Sequence, residues 1–255
     1  MDLSPNKIFD LHGKVALITG ASKGIGEAIA RYFIAAGAKV VINSRKHEEI
    51  TKLAAEISSD NCMGVAGNAG DSEFCKQLVE MTVSKFGGID VLVNNAATNP
   101  VYGGLIETDS GAFDKIIKVN LKGPFELSNF AYPIMKQRGG GSIINISSIA
   151  GLTPDPGLGM YSISKAALNM LTKVQAKEWG VDGIRVNAIC PGVIKTKFSR
   201  VLWENEEIFK RITKNIAINR AGTVEEIAGL AVYLASDAAS YTTGAIITAD
   251  GGTTI

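Results

Sequence analysis

The stretch TGASKGIGEAIA (residues 19–30) places Gly20, Gly24 and Gly26, with Lys23 among them, between an apolar run and an amphipathic one. Glycine permits a tight turn and lets backbone N–H groups approach a ligand, and the N-terminus of a following helix favours an anion. The spacing is G-x-x-x-G-x-G with no G-K-[ST], which excludes a P-loop. The stretch therefore predicts a phosphate-binding turn. A glycine-rich turn without a ligand, and the loop of a methyltransferase that uses S-adenosylmethionine, remain open at this point.

Short apolar runs alternate with helical patterns along the whole chain. The predicted strands are 15–19, 40–43, 62–67, 91–94, 142–147, 184–189 and 245–248, and the predicted helices include 24–36, 46–58, 71–86, 110–138, 160–180 and 223–236. Near-continuous Val and Ile runs are typical of strands that are covered on both faces. We therefore expect an α/β fold: one Rossmann-type, doubly wound parallel sheet of about seven strands with helices on both faces. Residues 1–255 are predicted to form a single domain, with a substrate lid at about 193–220.

The composition argues against several classes of protein. The 255 residues are 46% hydrophobic and carry a formal net charge of +1 with acids and bases interspersed, so no nucleic acid and no membrane is expected as a partner. No apolar run is long enough for a bilayer, and MDLSPNK at the start does not resemble a signal peptide. Three cysteines, an odd number, indicate reduced thiols and a cytoplasmic location. His12 and His47 lie far apart, so no metal site is expected.

Further motifs follow the glycine turn in a fixed order. They are NNAA (94–97), KVN (118–120), NISS (145–148), YSISK (161–165) and PG (191–192). In that order and spacing, over about residues 11–252, the chain resembles the classical short-chain dehydrogenase/reductase family. Residues 191–205 resemble its NADPH-dependent carbonyl reductases most. The resemblance implies an enzyme that transfers a hydride between nicotinamide and a carbonyl or alcohol.

The catalytic residues implied by the resemblance are Asn120, Ser148, Tyr161 and Lys165. Tyr161 and Lys165 stand at i and i+4, so one helix face presents both. A nearby ammonium stabilises a phenolate, so we expect Lys165 to lower the pKa of Tyr161 and make it a usable general acid. The spacing to Tyr161 favours Ser148 over Ser147 as the hydroxyl that binds the same carbonyl oxygen. Asn120 resembles the asparagine that holds a water beside the lysine in a proton relay. Singly, each of these residues has an ordinary structural explanation.

The cofactor contacts are expected at the ends of several strands. The predicted set is Gly20, Ser22, Lys23, Gly24, Ile25, Gly26, Ser44, Arg45, Asn68, Ala69, Asn95, Ala96, Tyr161, Lys165, Pro191, Gly192, Ile194 and Thr196. Asn95 is equally well explained as a structural tie between strands. The chain departs from the family pattern at Ala97, where glycine is more usual, and at Asn68, where many members carry an aspartate that binds adenine.

The second predicted strand ends in Asn43-Ser44-Arg45-Lys46, without the acidic residue that binds the ribose 2′-hydroxyl of NAD. Arg45 offers a planar fork of donors for a phosphate, and Lys23 is expected to approach the same phosphate from the glycine turn. The sequence therefore predicts a preference for NADP(H), with NAD(H) possible as a second cofactor.

The expected substrate is a small neutral or apolar carbonyl compound or secondary alcohol. The expected pocket walls are Leu152, Pro154, Leu158 and Met160, with a lid at Phe198, Leu202 and Trp203. An alternative is a 3-oxoacyl-thioester reductase of fatty-acid synthesis, with Lys136 and Arg138 docking an acidic carrier protein. An alternative of another class is a dinucleotide-binding sensor or scaffold without turnover.

A homotetramer is expected. The resemblance implies that helices 110–138 and 160–180 pack across a two-fold axis and that the C-terminal strand lies near a second axis. These helices carry more apolar residues than one buried face requires: Phe113, Ile117, Phe125, Leu127, Phe130, Leu168, Leu171, Val174 and Trp179.

Overall fold

The computed structural model describes residues 5–197, 199, 204 and 206–255, and shows one parallel sheet with the strand order β3-β2-β1-β4-β5-β6-β7. The strands are β1 (Val15–Ile18), β2 (Lys39–Ser44), β3 (Cys62–Ala66), β4 (Val91–Asn94), β5 (Gly141–Ile146), β6 (Ile184–Pro191) and β7 (Ile246–Ala249). Each adjacent pair is parallel. The predicted doubly wound sheet is confirmed, and every predicted strand matches one of these elements to within a few residues.

The helices follow the strands in the alternation that the sequence predicts. They are α1 (Pro5–Ile8), α2 (Gly24–Ala35), α3 (His47–Ile57), α4 (Ser72–Phe86), α5 (Ser110–Ile117), α6 (Gly123–Gln137), α7 (Gly159–Trp179), α8 (Glu206–Thr213) and α9 (Val224–Ala235). The sequence patterns did not predict α1 or α8. No helix in the described part of the chain is long and apolar enough to cross a membrane.

Alternate residues of each strand enter different hydrophobic cores on the two faces of the sheet. In β1, Ala16 and Ile18 pack with the cluster under α2, α3 and α9, whereas Leu17 packs with the cluster under α4, α6 and α7. Side chains of a strand point to opposite faces in turn, so a strand that is apolar at every position must be covered on both sides. This packing fixes the register of the strands and hence the positions of the loops at their ends.

The predicted helix over 110–138 is interrupted by a π-helical segment, Lys118–Lys122, between α5 and α6. Pro124 has no N–H to donate to the carbonyl of Asn120, which opens the regular i to i−4 ladder at this point. Such π turns occur often at functional sites. The interruption turns the buried Asn120 toward the loop that follows β4.

The loops at the carboxyl ends of the strands meet at one edge of the sheet. The order reverses between β1 and β4, since β2 and β3 lie on one side of β1 and β4 to β7 lie on the other. In open α/β sheets this switch point forms a crevice that binds the ligand. The glycine turn follows β1 and the NNAA segment follows β4, so both lie at this crevice.

Candidate active site

Tyr161 and Lys165 lie one turn apart on α7, and both side chains are buried. The Lys165 Nζ donates to the Ile146 carbonyl at the end of β5, with an N–O distance of 2.7 Å. The same Nζ lies 5.6 Å from the centre of the Tyr161 ring. The helix therefore presents both groups at the carboxyl edge of the sheet, as the i and i+4 spacing predicts.

Ser148 lies in the loop after β5 and begins the 3₁₀ turn Ile149–Gly151, where its Oγ accepts from the Ala150 N–H at 3.1 Å. The side chains of Ser148 and Tyr161 share a hydrogen bond. By contrast, the Ser147 Oγ donates to the Lys165 backbone carbonyl at 3.2 Å. This geometry supports the choice of Ser148, because Ser147 is engaged in holding the loop against the helix.

The predicted direction of the Tyr161 pKa is wrong. Burial raises the pKa of Tyr161 to about 12, against a smaller lowering by the Ser148 hydrogen bond. Burial likewise lowers the pKa of Lys165 to about 8. Withdrawal from water disfavours the charged form of both groups, and the ammonium donates to Ile146 rather than to the phenol. At neutral pH the phenol is therefore protonated, in the form that donates a proton.

Asn120 is fully buried, and its side chain joins two elements of the site. Its Oδ1 accepts from the Thr98 N–H at 2.8 Å, and its Nδ2 donates to the Thr98 carbonyl at 3.0 Å and to the Ser164 Oγ at 3.0 Å. The amide thus ties the loop after β4 to α7 beside Lys165. The place of Asn120 in a proton relay stays a prediction.

The glycine turn requires glycine at specific positions. Gly20 and Gly24 have φ angles of +66° and +64°, which other residues rarely adopt. A Cβ on Gly26 would lie 2.5 Å from the Asn95 Nδ2, which donates to the carbonyls of Thr19 and Gly20 at 2.9 Å. Asn95 is therefore a tie between two loops, and α2 begins at Gly24 with its N–H groups toward the crevice.

The end of β2 offers a free hydroxyl beside several cations. The Ser44 Oγ is buried and has no hydrogen-bond partner among the described residues, whereas Arg45 and Lys23 are exposed. Lys46 pairs with Glu49 at 2.5 Å, and this hydrogen bond holds the pKa of the Glu49 carboxyl below its usual value. The charges of Lys23 and Lys197 lower the same pKa further, so both lie near this carboxylate.

The remaining predicted contacts line the same edge. The Asn68 Oδ1 accepts from the Gly70 N–H at 3.1 Å, and the Ala96 N–H donates to the Thr19 Oγ1 at 3.1 Å. Thr196 lies against the glycine turn, since a Cβ on Gly24 would be 3.4 Å from its Cγ2. Ser22 and Ile25 are half-buried within the turn, Ala69, Pro191 and Ile194 are buried, and Gly192 packs against Asp250.

The expected pocket walls follow the Ser148 turn in the chain. Leu152 and Pro154 are exposed, Leu158 is half-buried, and Met160 is buried and so belongs to the core more than to an open wall. The expected lid residues Phe198, Leu202 and Trp203 lie outside the described residues.

Sequence reasoning missed a second segment that lies against the expected pocket walls, and two further residues beside the predicted set. Gly103 forms a parallel bridge with Leu158, which brings the exposed side chains of Tyr102 and Leu105 to Gly157 and Gly159. Asn169 and Lys197 were also missed. Asn169 stands four residues after Lys165, so the i and i+4 spacing predicts that both lie on the same face of the helix. Lys197 follows Thr196 directly, and that adjacency was the available signal.

The described residues contain no group of three or more His, Cys, Asp or Glu side chains that would hold a metal ion. The glycine turn at the switch point, with the unpartnered Ser44 hydroxyl and the cations around it, fits a phosphorylated dinucleotide. The fold and this edge define a dinucleotide-binding α/β protein.

Comparison with known proteins identifies the family. A family model described as enoyl-(acyl carrier protein) reductase matches residues 20–254. Dehydrogenase/reductase SDR family member 4 of Pongo abelii is 41% identical over 245 residues, covering 95% of this chain and 88% of that protein. A putative short-chain alcohol dehydrogenase from Sinorhizobium meliloti 1021 superposes with a TM-score of 0.92 at 38% identity, over 96% of this chain and 98% of the other.

A gluconate 5-dehydrogenase from Burkholderia cenocepacia J2315, solved in complex with NADP and tartrate, superposes with a TM-score of 0.93 at 31% identity. That match covers 98% of both chains. The chain belongs to the short-chain dehydrogenase/reductase family, and it is an NAD(P)-dependent oxidoreductase that acts on CH–OH or C=O groups. The similarity to family member 4 is consistent with the carbonyl reductase subgroup.

Proposed function

We propose that this chain is an NADP(H)-dependent carbonyl reductase and alcohol dehydrogenase in which Tyr161 is the general acid and base. The observation that carries this proposal is the hydrogen bond between the Ser148 and Tyr161 side chains in a buried site beside Lys165. Two hydroxyls that already contact each other can both reach one carbonyl oxygen between them. The carbonyl oxygen of the substrate is expected at that point.

Each residue of the site has a separate role in the proposed reduction. The nicotinamide, when bound, supplies a hydride to the carbonyl carbon. Ser148 donates a hydrogen bond to the carbonyl oxygen, and Tyr161 gives its phenolic proton to the same oxygen as negative charge develops there. Lys165 holds the nicotinamide ribose, and Asn120 holds the loop after β4 against α7. In the oxidation of an alcohol the proton returns to Tyr161 by the same path.

The NADP(H) preference is supported by the charge around the end of β2. Lys23, Arg45 and Lys197 are exposed cations at this end of the crevice, and the Ser44 hydroxyl has no partner in the described structure. A 2′-phosphate would accept hydrogen bonds from these groups, and no acidic side chain replaces Ser44 to repel it. We propose the cofactor-contact roles of the remaining residues of the set on the same basis, because they line the same crevice.

The substrate proposed for this site is a neutral carbonyl compound with an apolar substituent. Tyr102 and Leu105 lie against the segment 157–159 and Leu152 follows the Ser148 turn, and all three side chains are exposed. Apolar walls with a few convergent polar groups are typical of small-molecule sites. The Ser148 and Tyr161 hydroxyls are the polar groups proposed for this site.

A carrier-protein thioester is less well supported as the substrate. Lys136 pairs with Asp182 at 2.9 Å, and Arg138 makes two hydrogen bonds of 2.9 Å to Asp90. Both cations that were candidates for docking an acidic carrier protein are thus engaged within the chain. A sensor without turnover is also less well supported, because Ser148 and Tyr161 share a hydrogen bond beside the buried Lys165.

A substrate screen tests the proposed function. NADPH oxidation at 340 nm is followed with aliphatic and aromatic ketones and aldehydes, diketones and 3-oxoacyl thioesters, and the alcohols are tested in reverse. We expect the highest kcat/KM among the neutral ketones and aldehydes. Preferential turnover of acyl-carrier thioesters would favour the alternative reductase. Tight NADPH binding with no turnover of any compound would favour the sensor.

The homotetramer and the cytoplasmic location are further parts of this proposal. Exposed apolar side chains on α5, α6 and α7 support the assembly: Phe113, Phe125, Ile163, Met170 and Val174.

The cytoplasmic location is supported by the cysteines, since Cys62, Cys75 and Cys190 are all buried and form no disulfide.

A further inference from the structure

Asn169 contacts two loops of the site from its position one helical turn beyond Lys165. Its Nδ2 donates to the Gly151 carbonyl at 3.2 Å, and its Oδ1 accepts from the Cys190 Sγ at 3.7 Å. The side chain is buried. The amide therefore joins α7 to the end of the turn that begins at Ser148, and to β6 directly before Pro191.

The turn that carries Ser148 is held against α7 at both of its ends. At the near end, the Ser147 Oγ donates to the Lys165 carbonyl at 3.2 Å. At the far end, a Cβ on Gly151 would lie 2.7 Å from the Lys165 carbonyl carbon, so the turn touches the helix backbone. Asn169 supplies the hydrogen bond that fixes this far end. Ser148 stands between the two attachments.

We propose that Asn169 is a positioning residue for the reaction, which keeps the Ser148 hydroxyl within hydrogen-bonding reach of Tyr161 by holding the Gly151 carbonyl. The proposal rests on the proposed function, because Ser148 and Tyr161 must act on the substrate oxygen. The Gly151 carbonyl is partly buried, so the loss of its donor is costly and we expect the turn to shift to find another partner. A small displacement of a catalytic hydroxyl has a large effect on rate.

The first test replaces the amide by an apolar side chain of similar shape. In Asn169→Leu we expect kcat to fall about tenfold, because the Ser148 turn loses its hydrogen bond. The Kd of NADPH measured by fluorescence should change less than twofold, because the Cys190 contact is weak and the backbone of β6 stays paired with β7. Thr172→Val is the matched control on the same helix. Thr172 is buried and bonds Asn145 and the Leu168 carbonyl, not the Ser148 turn. It should lower the Tm and leave kcat within twofold of the parent.

The second test asks whether Asn169 acts through Ser148. Asn169→Leu is combined with Ser148→Ala, and kcat is measured for the single and double variants. We expect Asn169→Leu to cost less than twofold when Ser148 is already absent. A further tenfold loss in the double variant would show that Asn169 does not act through Ser148 and would overturn the proposal. A parent-like kcat in the single variant would also overturn it.

Asn169→Ser keeps the test decisive if the leucine variant does not fold. A serine is too short to reach the Gly151 carbonyl, so the same loss of kcat and the same dependence on Ser148 are expected.

Failure of the proposed function would give a different result from failure of the Asn169 proposal. If Tyr161→Phe keeps its turnover, the assignment of the acid is wrong. If Tyr161→Phe is inactive and both Asn169 variants turn over normally, only the positioning role of Asn169 is overturned.

Discussion

The Tyr161 and Lys165 side chains are withdrawn from water on the same face of α7. Burial raises the pKa of the phenol to about 12 and lowers the pKa of the ammonium to about 8. Both shifts favour the neutral form, as expected for groups in a medium of low dielectric constant. The pair thus holds a protonated phenol beside a lysine that titrates slightly above neutral pH.

The pH dependence of reduction is expected to follow Lys165. Its folded-state pKa of about 8 leaves it charged below that pH and neutral above it. Because the ammonium is proposed to hold the nicotinamide ribose, kcat/KM for NADPH-dependent reduction should fall as the pH rises through about 8. Lys165→Arg should turn over more slowly and lose this decline, since arginine stays charged. A parent profile that is flat from about pH 7 to 10 would contradict this.

The same shift predicts a change of stability with pH. An unfolded lysine keeps its ordinary pKa of about 10.4, so between about pH 8 and that value the unfolded state binds more protons than the folded one. The free energy of unfolding of the parent should therefore rise over this window relative to Lys165→Met. Urea unfolding of both proteins at several pH values measures the difference. A constant difference across the window would show that the Lys165 pKa is not lowered.

At the scale of elements, the loops at the ends of β1, β2 and β6 carry exposed cations, which we propose form one cationic rim around the 2′-phosphate of the cofactor. Lys23 precedes α2, Arg45 follows β2, and Lys197 lies beyond β6 next to Thr196. Both Lys23 and Lys197 lower the pKa of the Glu49 carboxyl, so the charges of two loops that are distant in sequence act on the same carboxylate. Selection of the cofactor is thus expected to depend on several elements together.

Removal of single cations from this rim tests the choice of cofactor. Lys23→Ala and Arg45→Ala should each lower kcat/KM for NADPH by an amount that corresponds to about 1–3 kcal/mol, the usual strength of a charge-assisted hydrogen bond. The kcat/KM for NADH should stay nearly unchanged. Lys52→Ala is the control, because Lys52 is an exposed lysine of α3 that lies 3.8 Å from Glu56. A parent that prefers NADH, or variants that weaken both cofactors equally, would contradict the assignment.

Lys197 is predicted to act at longer range. Lys197→Ala should lower kcat/KM for NADPH more than kcat/KM for NADH. This difference between the cofactors should be smaller than in Arg45→Ala, and it should diminish as salt screens the charge. The comparison is the ratio of kcat/KM for the two cofactors at about 50 and 500 mM salt. A ratio equal to that of the parent at low salt would exclude Lys197 from the rim.

At the scale of the whole molecule, the apolar side chains of α5, α6 and α7 form a face that is exposed in the single chain. Met170 is 59% exposed and Phe125 is 47% exposed, although both lie on helices that pack on the sheet. An apolar surface of this kind is typical of an interface between subunits. Leu127 and Leu168, which the sequence grouped with this face, are instead buried in the chain's own core.

Light scattering at micromolar concentration is expected to give the mass of a homotetramer. Met170→Asp should shift the mass to a smaller species, because it places a charge in the proposed interface. Met81→Asp is the matched control, since Met81 is an exposed methionine of α4, outside the apolar face of α5, α6 and α7. The assembly proposal fails if the parent is monomeric, or if both variants change the mass alike.

The sequence predicts the sheet well because its strands are apolar at nearly every position, and only a parallel sheet with two covered faces fits that pattern. It also predicts the helix face of Tyr161 and Lys165, which depends on spacing alone. The break at Lys118–Lys122 follows from Pro124 and not from the apolar pattern, so hydrophobic periodicity alone does not predict it. The bridge between Gly103 and Leu158 is a tertiary contact that no periodicity encodes. The Tyr161 pKa was predicted in the wrong direction because burial, which the sequence does not show, outweighs the nearby charge.

The most direct test of the account is turnover by Tyr161→Phe. The variant is assayed for NADPH oxidation at 340 nm with the best carbonyl substrate of the parent, and its NADPH affinity is measured by fluorescence. Loss of the proton donor should lower kcat by at least about 10²-fold, the usual contribution of a general acid, while the Kd of NADPH stays within about twofold. A variant that keeps its rate within about tenfold of the parent would show that Tyr161 is not the acid and would contradict the account.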